Sequence, residues 1–280
     1  MCIRDRIKRL PLIFVLLLVG CSTTTLIYNR IDFLVPWYLG NYVELTRSQK
    51  QYLDELLIPF FSWHRSEELP KYLEIINSTK NILEGEVKPE GIATISSNVE
   101  KSWFRLEREV LVWMTPLVSN LNDEQIQSFL QVMQKKATEY ENKNLGRSDN
   151  DYRQDIYEKI RDNLQQFMGE LSQQQLTVVK TYSEDMHRDD GMWLQNRKAL
   201  LVSLSSILER DSGWKERLSR INQRDDPVSR SYRETNVHNL DVIYHLIAEV
   251  LNTRSEKQDK RIRRQLSKYR TDIETLMNNE

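Results

Sequence analysis

Two cysteines, eight glycines, seven prolines and four histidines in 280 residues close off several kinds of chemistry at once. The glycines are scattered and never form G-x-G, so no loop of the phosphate-cradling kind is present. There is no G-x-S-x-G elbow to present a nucleophilic serine. Both cysteines, Cys2 and Cys21, fall in the first 21 residues, which leaves the remaining body without a disulfide or a thiolate metal ligand. Charge of one sign is also missing: 40 Lys and Arg face 41 Asp and Glu, a balance that argues against a nucleic-acid partner. Only one long hydrophobic run exists, Leu10 to Val19. As a helix its ten residues would span about 15 Å, half of a roughly 30 Å hydrocarbon core, so it is too short to cross a membrane.

What surrounds that run gives it meaning. Arg4, Arg6, Lys8 and Arg9 precede it and Leu18-Val19-Gly20-Cys21 closes it, the order of a secretory signal with a small-residue cleavage site. The last four residues resemble the lipobox of bacterial lipoproteins. The resemblance implies cleavage before Cys21, a thioether-linked diacylglycerol on Cys21 as the only attached group, and anchoring through several acyl chains. Removing residues 1–20 takes away four basic residues and one acidic one, leaving 36 basic and 40 acidic side chains, a net charge of −4. Ser22, rather than Asp, follows the lipidated position. By resemblance to enteric-type sorting, this places the protein on the inner leaflet of the outer membrane, facing the periplasm.

Residues 26–43 carry five aromatics, Tyr28, Phe33, Trp37, Tyr38 and Tyr42, broken by Pro36 and Gly40. So near an anchor they could lie at the headgroup level or pack back on the body. Beyond them, Leu45-Thr46-Arg47-Ser48-Gln49, Leu121-Asn122-Asp123-Glu124-Gln125 and Leu171-Ser172-Gln173-Gln174-Gln175 each place a good N-cap three residues before Gln, the pattern of a capping box. Their unequal spacing excludes a solenoid of fixed period. Apolar residues then recur at three and four. They predict a long element over 46–83 kinked at Pro59 and Pro70, and helices over 90–118, 123–143 and 151–168. Further helices are predicted over 173–209 with a break near 189–191, then over 214–222, 227–252 and 256–278. No strand pattern is found. The fold class is therefore all-α, a bundle of about seven or eight helices. Its expected parts are a signal peptide (1–20), a lipidated tether with the aromatic stretch (21–44), and two packed halves (45–145 and 146–280) divided at the polar Gly146–Asn150.

Leu-Thr-x-x-Gln at helix starts is similar to the LTxxQ-motif periplasmic chaperones and stress proteins. A broader likeness joins the lipobox to Tyr28-Asn29, Asp32, Trp37-Tyr38, Tyr42-Val43, Leu45-Thr46-x-x-Gln49, Trp63-His64-Arg65 and Leu69-Pro70, with Trp193-Leu194 and Arg197 further on. This set resembles an uncharacterised family of all-helical proteobacterial lipoproteins, a likeness that implies fold and location and names no reaction.

Four places hold candidate chemistry. His238, Asp241, His245 and Glu249 can share a helix face as a two-His, carboxylate metal site, although an ordinary half-polar face has the same spacing and H-E-x-x-H is absent. Asp185 to Asp190 is ligand-rich, but a solvated helix break explains it more simply. We therefore expect no metal. Trp63, His64 and Arg65, with Glu67 and Glu68 beside them and together with Trp37 and Tyr38, form a candidate partner surface, since Trp and Arg are over-represented at binding hot spots; the plainer reading puts Trp63 in the core and pairs Arg65 with a carboxylate on the helix face. Arg261, Arg263 and Arg264 lie on a basic helix whose other side keeps the stripe Ile262, Leu266, Tyr269 and Ile273. Such a helix can meet anionic lipid or simply be solvated outside a core. The expected role is binding, as a structural or assembly factor of the cell envelope. A chaperone for unfolded envelope proteins is the alternative, and an enzyme comes third because no catalytic motif is found.

Overall fold

The computed structural model describes Tyr28 and residues 30–223 and 227–278. The expected signal peptide, Cys21 and its tether lie outside the described residues. Among those described there is no strand, and eleven α-helical segments follow one another: α1 (Ile31–Leu39), α2 (Arg47–Trp63), α3 (Leu69–Ile82), α4 (Pro89–Ser119), α5 (Asp123–Asn144), α6 (Asp149–Met168), α7 (Gln173–Asp185), α8 (Asp190–Ile207), α9 (Trp214–Ser219), α10 (Pro227–Asn252) and α11 (Glu256–Asn278). The all-α expectation holds. The count is higher than seven or eight because α1 is a helix of its own, a π turn divides the 46–83 element into α2 and α3, and the 173–209 stretch parts at residues 186–189 into α7 and α8.

Local chemistry sets the helix ends. Thr46, Asn122 and Ser172 accept the backbone N–H of the Gln three residues on, and each Gln side chain accepts the cap residue's own N–H. Ser148 does the same with Asp151, and Ser255 with Gln258. Pro59 lies inside α2 and does not end it; the helix runs on to Trp63. It continues through one π turn, His64–Glu68, in which Leu69 N–H donates to His64 O. Pro70 sits in the first turn of α3, where its ring would crowd the carbonyl four residues back, and the widened turn relieves that contact.

The packing repeats itself. In the first half α2 lies on α4 and α3 on α4; in the second, α7 lies on α10 and α8 on α10. The last helix of each half is exchanged: α11 packs on α3, and α5 packs on α8. The two long helices, α4 and α10, pack on each other. Tyr244 Oη donates to Ser96 Oγ across their contact at 3.0 Å. α1 stands before α2 as α6 stands before α7, while α9, with its Trp214 and Leu218, is an addition of the second half. Because of the exchange, the largest core joins Leu69, Ile76, Leu83 and Val87 to Tyr152, Val179, Leu246 and Ile273, on both sides of residue 146. A smaller core holds Val43, Leu45, Leu53, Leu57, Trp113 and Leu117.

The capping boxes have a second use that their spacing did not reveal. Gln49 and Gln125 pair side chain to side chain, each Nε2 donating to the other's Oε1, at 3.0 and 2.7 Å. Gln49 also donates to Asn120 O, and Gln125 to Glu44 O. Gln175 and Gln258 repeat the arrangement, at 3.2 and 2.9 Å, with further bonds to Thr253 O and Glu170 O. In every case the carbonyl reached lies two residues before the partner's N-cap. Two pairs of helix N-termini are thus tied by the same four-bond knot.

Candidate functional site

Two junctions, one in each half, gather the charged and aromatic residues singled out in the sequence. In the first, His64 and Arg65 lie in the π turn and Tyr28 reaches them from ahead of α1. The Tyr28 hydroxyl lies 2.9 Å from His64 Nδ1, and the Arg65 guanidinium sits 5.4 Å over the Tyr28 ring. Phe60, Trp63 and Tyr72 complete an aromatic enclosure, with centroids 6.3, 6.2 and 5.7 Å from the imidazole. Burial among these rings pushes the His64 pKa down to about 4, and burial likewise raises Tyr28. At neutral pH the ring is therefore uncharged, and its Nδ1 shares a hydrogen bond with the Tyr28 hydroxyl.

One turn on, Glu68 is fully buried. Arg105 of α4 grips it with Nε and Nη2, both at 2.8 Å, and Nη2 also reaches Ser102 Oγ at 2.8 Å. Glu68 in turn holds the Arg105 pKa above its usual value. Such a two-pronged guanidinium–carboxylate bond fixes geometry as well as charge. It locks the π turn to the longest helix of the molecule.

The second junction, between α7 and α8, repeats the scheme with His187-Arg188. Arg188 lies 5.6 Å over the ring of Tyr152, which stands near the start of α6. The Tyr152 hydroxyl donates to Asp189 Oδ1 at 3.1 Å and to His187 O at 3.3 Å. Burial and the neighbouring Asp189 raise its pKa. Asp190, only 2 % exposed, accepts from Arg188 Nε at 2.9 Å and Arg147 Nη2 at 3.3 Å. Asn239 clamps the break from α10, accepting from His187 N–H at 2.8 Å and donating to His187 O at 2.9 Å. The expectation of a solvated break fails here: Asp189 and Asp190 are buried because Arg147, Arg188 and Tyr152 supply their bonds.

The remaining candidates are dispersed. His238 stacks on His187 at 3.8 Å and its Nε2 meets Asp185 O, while His245 faces Asp241 at 3.9 Å on an exposed turn. The proposed four-residue metal face does not assemble, and among the described residues no group of three or more His, Cys, Asp or Glu could hold a metal ion. Of the basic trio, Arg263 is taken up inside the molecule. It pairs with Asp259 at 2.7 Å and Glu84 at 2.6 Å and donates to Leu83 O. Arg261 crosses Gly169 and donates to Gln166 O; Gly169 ends α6 at φ 88°, and Arg261 Cδ lies 3.3 Å from where a Cβ would stand. Arg264 alone stays exposed, beside Lys257 and Lys260. Their stripe, Ile262, Leu266, Tyr269 and Ile273, is buried in the core. Trp37 and Tyr38 face outward at 63 % and 49 % exposure, far more open than the enclosed Trp63 and His64.

Sequence position alone does not bring Tyr28, Arg105 and Tyr152 into these clusters. One sequence signal pointed there: His-Arg followed by acids occurs twice, at 64–68 and 187–190, at nearly the offset that separates Glu-Leu-Thr-x-x-Gln at 44–49 from Glu-Leu-Ser-x-x-Gln at 170–175. The closed first junction has a measurable consequence. His64 is held neutral in the fold and regains its ordinary pKa of about 6.5 on unfolding, so the unfolded chain binds the extra proton between those values. Stability should therefore fall as pH drops from 6.5 to 4, by on the order of 3 kcal/mol. The depressed carboxylates Asp155 and Asp259 act only below this window, near and under 3.8. Urea titrations at stepped pH check this; His64→Gln should flatten the slope in that window alone.

Neither the curated proteins nor the solved structures contain a match to this chain. Residues 41–233, which take in His64, Arg65, Glu68, Arg105, Tyr152 and the 186–190 break together with four of the five capping boxes, match the family of unknown function DUF6279. The chain belongs to that family.

Proposed function

We propose that this chain is a lipid-anchored, all-helical binding protein of the bacterial envelope, held on the inner leaflet of the outer membrane through Cys21 and acting as a structural or assembly factor in the periplasm. The observation that carries this reading is the order along the chain. A basic, apolar and lipobox stretch ends at Cys21, and a few residues later comes α1, with Val35 and Leu39 packed on the body and Phe33 and Trp37 turned outward. The charged clusters support a binding role, because their partners are one another: Glu68 with Arg105, Asp190 with Arg147 and Arg188, Asp259 with Arg254 and Arg263. An anchor concentrates such a body at the membrane and strengthens modest partner affinities without new contacts.

Labelled palmitate should enter the wild-type protein and not Cys21→Ser, and the variant should move from the membrane pellet to the soluble fraction. Retention of both label and membrane association by Cys21→Ser would defeat the anchor. In-cell crosslinking of the wild-type protein then reads the role. One dominant envelope partner supports an assembly factor, whereas a broad set of unrelated clients would replace it with a chaperone.

A further inference from the structure

The two halves provide an internal control for α1. Its counterpart α6 turns only polar residues to solvent: Asp149, Arg153, Gln154, Glu158, Asp162 and Gln166 are among its exposed positions. α1 instead exposes Phe33 at 66 %, Trp37 at 63 % and Tyr38 at 49 %, while its inner side is already covered by Val35 and Leu39 packing on the core beneath. Exposing two large rings one turn apart costs solubility, and the same fold position in the second half avoids it. We infer that the outer face of α1 is seated in the headgroup layer of a phospholipid membrane, lying flat against it as a second, non-covalent contact.

Several observations select lipid as the occupant. The three outward residues are aromatic, and Trp and Tyr are the side chains that collect at membrane–water interfaces, with an apolar body and a polar tip. The Tyr38 and Tyr42 hydroxyls lie 3.0 Å apart at one end of the patch, and Arg30 is exposed at the other, so polar groups flank the rings. Nine residues of helix measure about 14 Å, which cannot cross a bilayer but can lie in its surface. Among the described residues no helix is long and apolar enough to span one. Covalent reach agrees: Cys21 and Tyr28 are seven residues apart, at most about 25 Å of extended chain, and Tyr28 is fixed in the core. This part of the argument rests on the lipidated Cys21 proposed above; the aromatic patch stands without it.

The test uses the full-length protein in its own membranes, exposed to a bilayer-confined photoactivated hydrophobic reagent, with labelled peptides mapped by mass spectrometry. The peptide bearing Phe33, Trp37 and Tyr38 should take up about five-fold more label than those bearing Ile58, Val202 or Val237. Those three are as exposed but lie on other helices, and so control for exposure alone. Phe33→Ser with Trp37→Ser should bring the signal down to the control level while leaving the melting transition in place. Lipid on Cys21 is read separately from its own peptide, so failure of the anchor and failure of α1 are distinct results. Label on α1 supports the inference whether or not Cys21 carries lipid. Label no higher than the controls, or α1 crosslinked to a protein in place of lipid, overturns it.

Discussion

Arg105→Met should destabilise the protein by about 3 kcal/mol, lowering Tm by on the order of 6 °C. The reason is the carboxylate left behind. Glu68 is fully buried, and Arg105 supplies both of its short bonds, at 2.8 Å; Lys71 lies at 3.7 Å and is itself partly exposed. Breaking such a pair from one side strands a charge in a medium that solvates it poorly, which costs far more than the pair contributes when whole. Replacing Glu68 and Arg105 together by Met should therefore recover most of the loss, because neither charge then remains. Denaturant melts of the two single variants and the double variant check this. A double variant as unstable as the sum of the singles would show that the pair acts through something other than mutual neutralisation.

The second large effect belongs to Gln175. Its side chain is completely buried, accepts from Ser172 N–H at 3.0 Å and from Gln258, and donates to carbonyls at the end of α10. Gln175→Ala removes the side-chain half of the α7 capping box, takes the Gln175 donor from Thr253 O and the acceptor from Gln258 Nε2, and opens a cavity at the knot with α11; about 3 kcal/mol should be lost. Gln175→Glu should be at least as harmful, since it keeps the acceptor, removes the donor and aims a carboxylate at two carbonyls. Gln125→Ala removes the equivalent bonds in the first knot, but that side chain is partly exposed and water can replace some of them, so about 1 kcal/mol is expected. Equal losses at the two positions would reject burial as the source of the difference.

Helix existence was legible in the sequence because it depends on local spacing and caps: Thr46, Asn122 and Ser172 each cap a helix as read. Their pairing was not legible, because a capping box satisfies its own residues locally and nothing in Leu-x-x-x-Gln says which second box faces it. The boxes at Ser148 and Ser255 escaped for a related reason: Arg147 and Arg254 precede them where the other three have Leu, so the repeated pattern broke. The burial of Asp189 and Asp190 was not legible, because it depends on Arg147, about forty residues away, and on Tyr152, neither of which sequence adjacency supplies. Arg263 looked free for the same reason, its Glu84 partner lying in the other half. The Trp63-His64-Arg65 cluster was found from its residue types, yet its enclosure needed Tyr28, and its rigidity needed Arg105.

The exchange of α5 and α11 between halves has a bearing on how the chain reaches its native state. α3 packs on α4 within the first half but takes the rest of its cover from α11, and the first half's own last helix goes to α8, so neither half is finished from its own residues alone. A polypeptide emerging from one end must wait for residues 256–278 before Leu83 and Ile76 are shielded. Long-range closure of this kind slows folding and prolongs the lifetime of sticky intermediates. Loss of α11 would then be felt first at α3, almost two hundred residues upstream, as a vectorial defect of maturation.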